Sequence, residues 1–145
     1  FFAWALMSNH YHVAPRAGPV VLSRTMGYAQ ARFGQRFNRR RKSSGPRWQS
    51  RYKAPLAEDS HYFHQLIAYI HLNPVVAGLV EDPADYPFSG HRELLGKTAD
   101  PLVSVDATLS EFGEGIRSAR RSYVSTLRAE RENEWLGEQP RMLPW

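Results

Sequence analysis

The sequence predicts an α+β fold, and three patterns carry that prediction. An apolar run from Phe1 to Met7 meets a Ser8-Asn9 turn signal and then a second strand-like segment, His10 to Ala14, which together read as a hairpin. From Val21 to about Arg41, the residues Leu22, Met26, Ala29, Phe33 and Phe37 recur at spacings of three and four, the repeat of one helix face. A third segment, "HYFHQLIAYIHLN", follows Asp59 and Ser60, both good helix caps. It should end before Pro74, because the residue preceding a proline disfavours helix.

The remaining elements follow from local chemistry. Pro15, Gly18 and Pro19 make a loop, and "KSSGPRWQ" ends the first helix. "SRYKAPLAE" has the composition of a further strand, at a sheet edge or closing near Pro55. "VVAGLV" reads as a short apolar turn of helix or 3₁₀, and "EDPADYPFSGHRELLG" as a loop rich in turn residues. Two weaker helical stretches lie at Val105 to Phe112 and Ile116 to Glu132. "EWLGEQPRMLPW" reads as a poorly anchored end, although Trp135 and Trp145 are able to dock.

Composition bounds the function. The chain has 145 residues, 42% of them apolar, which suits a globular domain with a real core. It has no cysteine, which excludes disulfides and thiolate metal sites. No apolar stretch approaches the ~20 residues of a membrane span, and the Phe1–Met7 run lacks the basic flank of a secretory signal. Charge is sharply divided. Residues 1–57 hold 11 Lys and Arg and no acid, whereas residues 58–145 hold 8 basic and 14 acidic residues, so the parts carry +11 and −6. Such asymmetry points to a polyanion, above all nucleic acid, as partner of the first part.

Two histidines stand out in "MSNHYHV". Side chains at i and i+2 of a strand share a face, so His10 and His12 project together while Tyr11 points the other way, into the expected core. A His-x-His pair suits a divalent metal, though it also occurs on exposed strands. In the third segment Tyr69 and Asn73 are four residues apart and share a helix face. Asn73 offers a carbonyl oxygen as third ligand, or simply a helix ending before proline. Tyr69 is a reactive phenol or an ordinary packing tyrosine. His71 falls on a different face, and His61 and His64 form a weaker i, i+3 pair.

Taken in order, "MSNHYHV", "RFNRR", "RYKA", "YIHLNPVVAGLV" and "DYPFSGHRELLG" resemble the REP-associated tyrosine transposases, relatives of the single-tyrosine transposases in the HUH (His-hydrophobic-His) endonuclease superfamily. The likeness is continuous from Phe1 to about Gly96 and looser through "TLSEFGEGIRSARRSYV". The resemblance implies a ferredoxin-like antiparallel sheet backed by helices. Family members usually carry a further strand and helix ahead of the segment where this sequence begins, so that strand and helix are expected to be lacking. The resemblance also divides the chain into an endonuclease domain over 1–96 and a helical extension over 97–145.

By position, the resemblance makes Tyr69 the nucleophile and His10, His12 and Asn73 the ligands of Mg²⁺ or Mn²⁺. The residue types suit the chemistry. Attack of a phenol on phosphorus gives a 5′-phosphotyrosine and a free 3′-hydroxyl, and the covalent link conserves the bond energy for rejoining. A divalent cation offsets the charge that develops on the phosphate. No general base for Tyr69 is visible beside it. The implied partner is single-stranded or hairpin DNA, met as a monomer or homodimer in the bacterial cytoplasm, near the nucleoid.

Arg36, Arg39, Arg40, Arg47, Trp48, Arg51, Tyr52 and Lys53 interleave cations with aromatic rings, a pattern that grips phosphates and stacks on unpaired bases. Core packing is the competing role for Trp48 and Tyr52. Two other functions compete with the transposase: an inactive, truncated or domesticated module that binds structured nucleic acid, and a histidine-based metal hydrolase that uses activated water.

Overall fold

The computed structural model of the chain describes residues 1–57 and 59–132. Trp135 and Trp145 lie outside the described residues. Strands β1 (Ala3–Leu6) and β2 (Tyr11–Ala14) precede helices α1 (Leu22–Arg41), α2 (Ser60–Val76), α3 (His91–Leu94), α4 (Val105–Leu109) and α5 (Ile116–Glu132). Short 3₁₀ turns occupy Pro83–Asp85 and Ser110–Phe112. The chain is therefore α+β, with an antiparallel two-stranded sheet among the described residues. It divides into two compact units: residues 1–16 with residues 56 onward, and residues 17–55.

In the first unit the hairpin closes through Met7 N–H donating to the His10 carbonyl at 2.8 Å, over the Ser8-Asn9 turn. Its register pairs Ala3 with Ala14, Trp4 with Val13, Ala5 with His12 and Leu6 with Tyr11. One face therefore carries Ala3, Ala5, His12 and Ala14. The three alanines are buried and belong to one core with Ile67, Ala68, Ile70 and Leu72 of α2. Small side chains on this face let a helix backbone come close to the sheet. The core continues through Leu94, Leu109, Phe112, Tyr123 and Leu127, so α4 and α5 are built into the same body.

The free side of β1 is covered. Leu6 N–H donates to Phe88 O at 2.8 Å, and Gly90 N–H donates to Trp4 O at 2.9 Å, flanking a bridge between Ala5 and Ser89. This pairing satisfies groups that an open strand edge would leave exposed. Glu93 ties the region together, since Oε1 accepts from the Trp4 indole at 3.2 Å and Oε2 from Val103 N–H at 2.6 Å. A Cβ at Gly90 would stand 2.7 Å from Val103 Cγ2, so only glycine fits between Trp4 and Val103.

Four expectations are corrected. Helix α2 begins where expected, with the Asp59 carboxylate accepting from Tyr62 N–H at 2.8 Å, but it runs through Pro74 to Val76. The proline forfeits one backbone bond near the helix end, and burial of its ring in the core outweighs that loss. Residues 51–57 form no strand. Tyr11 does point away from His12, but the core lies on the His12 side, and Tyr11 is only half-buried. The segment read as a loop contains α3 and a 3₁₀ turn.

In the second unit α1 matches its expected span and ends on Lys42 at φ 48°, with Lys42 N–H donating to Arg39 O and Ser43 N–H to Asn38 O. This is a Schellman ending with lysine where glycine is usual. None of its residues is buried, and Phe33 and Tyr28 on its surface are 51% and 69% exposed, so the apolar stripe is only partly covered. No helix among the described residues is long and apolar enough to cross a membrane.

Candidate functional site

Strand alternation and one helical turn bring the predicted residues together. His12 lies on the inward hairpin face, where its ring meets that of Tyr69 edge-on, with centroids 5.3 Å apart and planes at 85°. His10, exposed at the hairpin turn, stands against His12 at 5.0 Å and 89°. Tyr69 and Asn73 are half-buried on α2, and the Asn73 amide donates to the Tyr69 carbonyl at 2.8 Å. That bond holds the Asn73 side chain back along its own helix.

The electrostatics favour a neutral His12. The His12 pKa falls from 6.5 to about 4; burial is the main cause, His10 adds to the fall, and contact with the Asn73 side chain opposes it. His12 Nε2 is buried and makes no hydrogen bond of full geometry among the described residues. His10 Nδ1 lies 2.7 Å from Asn9 Oδ1. The amide oxygen only accepts, so Nδ1 is the donor here and Nε2 is the nitrogen turned to other partners. Asn9 is thus an orienting residue that spacing alone did not reveal, although its place directly before His10 was a signal.

The other candidates separate. His71 lies off the Tyr69 face, fully buried, with Nδ1 at 2.8 Å from the Tyr123 hydroxyl. His91 Nδ1 takes the other side of the same hydroxyl, making a buried His–Tyr–His chain. Burial, with His91 nearby, drives the His71 pKa well down. His91 drops to about 4, chiefly through burial, with Asp82 opposing and Lys97 assisting. His64 does not pair with His61: its Nε2 meets Glu111 O at 2.7 Å and its ring stacks on Phe112 at 4.2 Å. Among the described residues, no three His, Cys, Asp or Glu side chains gather as a metal cluster.

Of the basic set, Arg36, Arg39, Arg40, Arg51 and Lys53 are exposed, and Tyr52 is half-buried. Arg47 is an internal clasp. It donates to Asn38 Oδ1, to Ser43 Oγ at 3.1 Å and to Ser44 O at 2.9 Å, and it covers the Phe37 ring at 5.1 Å. Trp48 packs on Phe33 at 5.4 Å and donates its indole N–H to Gln30 O at 3.1 Å. Compared with family models, curated proteins and solved structures, the chain has no match.

Proposed function

We propose that this chain is a tyrosine-nucleophile DNA strand-transferase of the single-tyrosine type, cutting and rejoining single-stranded or hairpin DNA. The observation that carries the reading is the meeting of His12 with Tyr69 and Asn73 across the hairpin and α2. A phenol beside two imidazoles and a carboxamide is the set such chemistry needs.

The donor set fits a divalent cation. His12 stays neutral at pH 7, its buried Nε2 makes no hydrogen bond of full geometry among the described residues, and Asn9 holds Nδ1 of His10 so that Nε2 is the nitrogen presented. His10, His12 and Asn73 would hold Mg²⁺ or Mn²⁺, which when bound supplies positive charge beside the scissile phosphate. The Tyr69 oxygen attacks phosphorus as its proton leaves to solvent. The Tyr–O–P bond forms, the P–O3′ bond breaks, and the 3′-oxygen takes a proton from water as it departs as a hydroxyl. Reversal by another 3′-hydroxyl rejoins the strand and frees Tyr69. The exposed cations of the second unit, Arg36, Arg39, Arg40, Arg51 and Lys53, hold the DNA backbone. Arg47 and Trp48 brace that surface through their bonds to Ser44 and Gln30.

The test is a labelled single-stranded hairpin DNA incubated with Mn²⁺ and resolved under denaturing conditions. A protein–DNA adduct should appear, persist in Tyr11→Phe and vanish in Tyr69→Phe. An undiminished adduct in Tyr69→Phe overturns the assignment. Salt-sensitive binding without any adduct would instead identify a binding module.

A further inference from the structure

A second basic surface lies within the first unit, in the part of the sequence whose net charge is −6. An open groove of about 630 Å³ is lined by Leu95, Val124, Ser125 and four arginines, Arg117, Arg120, Arg121 and Arg128, with no acidic residue. Spacings of three and four put these arginines on one stripe of α5. The adjoining stripe, Ala119, Tyr123 and Leu127, is buried in the core, so the arginine face is held along its edge. Arg117, Arg121 and Arg128 are exposed, and among the described residues none meets a carboxylate.

Arg120 is fixed as one wall. Its Nε donates to Leu94 O at 2.7 Å, and its guanidinium crosses Gly96, where a Cβ would lie 3.0 Å from Nη2. Leu95 and Val124 pack on the core and give the groove an apolar floor. From Arg117 to Arg128 the helix rises roughly 16 Å, at ~1.5 Å per residue. That is the axial length of about five nucleotides in one strand of a B-form duplex.

We infer that the arginine face of α5 is a second nucleic-acid surface, which takes a sugar–phosphate backbone with phosphates on the guanidiniums and sugars on Leu95 and Val124. Arginine suits phosphate by planar, paired donation, and the lack of any lining acid makes the charge complementarity one-sided. The inference deepens the DNA reading above and rests on it for the partner, but it concerns grip and not cleavage.

The experiment measures binding of a labelled single-stranded DNA by the full chain over a range of salt. The variant R117Q/R121Q/R128Q is compared with R16Q/R92Q/K97Q, which removes the same charge from exposed sites of the same unit away from α5. The groove variant should lose at least about tenfold in affinity, and its log K against log salt slope should fall by about 2, at ~0.7 per phosphate contact. The control should lose less than about threefold. Equal losses in the two variants, or no loss in the groove variant, overturn the inference. If the triple variant fails to fold, R121Q and R128Q singly should each lower the slope by about 0.7. Adduct formation is scored separately. A wild-type adduct with unchanged groove binding sinks this inference alone, and weakened groove binding with no wild-type adduct sinks the cleavage reading alone.

Discussion

The two units use similar residue types to opposite ends. In the first unit, polar aromatic groups are buried: His71 and Tyr123 are 0% exposed and His91 is 4% exposed. In the second unit, α1 buries none of its residues, and Arg36, Arg39 and Arg40 stand in solvent. A buried polar group costs stability unless it is bonded, so each buried imidazole in the first unit reports on a fixed geometry. An exposed guanidinium costs little to place and keeps its donors for a ligand. Arg47 marks the boundary of that rule, since it spends its donors on the end of α1.

The contrast predicts where each unit breaks. Tyr123→Phe should be the most damaging change. It leaves Nδ1 of both His71 and His91 without a buried partner, at roughly 1–3 kcal/mol each, and should lower unfolding stability by about 2–4 kcal/mol in denaturant titration. A loss under about 1 kcal/mol would mean that the hydroxyl bridges neither imidazole. Acid should act next. The His91 pKa is about 4 in the fold against an ordinary 6.5, so the unfolded chain takes up the proton first. Its contribution is intact above about pH 6.5 and is lost as pH falls toward 4, by on the order of 3 kcal/mol, with His12 titrating in the same direction. Unfolding midpoints between pH 7.5 and 4 should therefore fall, and less steeply in His91→Asn. Last, Arg36→Ala/Arg39→Ala/Arg40→Ala should move stability by less than about 0.5 kcal/mol per site, yet lower the salt slope of DNA binding by about 2. A marked fall in melting temperature would refute the view of α1 as a solvated surface.

Much of the site was legible because its parts obey local periods. The i, i+2 spacing placed His10 beside His12, and the i, i+4 spacing placed Tyr69 beside Asn73. The α+β class followed from the same periods. What escaped depends on contacts distant in sequence. Tyr123 joins His71 and His91 across separations of 52 and 32 residues, and no spacing announces such a pair. Alternation fixed the direction of Tyr11 but not which face is the core, because three alanines, weak markers of burial, hold that face. Pro74 carried a helix-stop signal that core burial overrode. The residues at 51–57 have strand composition but find no strand partner among the described residues.

The inward face of the hairpin sets a tolerance as well as a packing. Ala3, Ala5 and Ala14 act as shims one methyl thick between the sheet and α2, and His12 is the one long side chain they leave room for. The gap between the His12 imidazole and the Tyr69 phenol is thus gauged by residues that are neither nucleophile nor ligand in the proposed reaction. A thicker shim would press α2 away from the sheet, and misplacement by ~1 Å is enough to cost a reaction about a hundredfold. On the proposed function, these three small residues constrain the reaction as well as the packing.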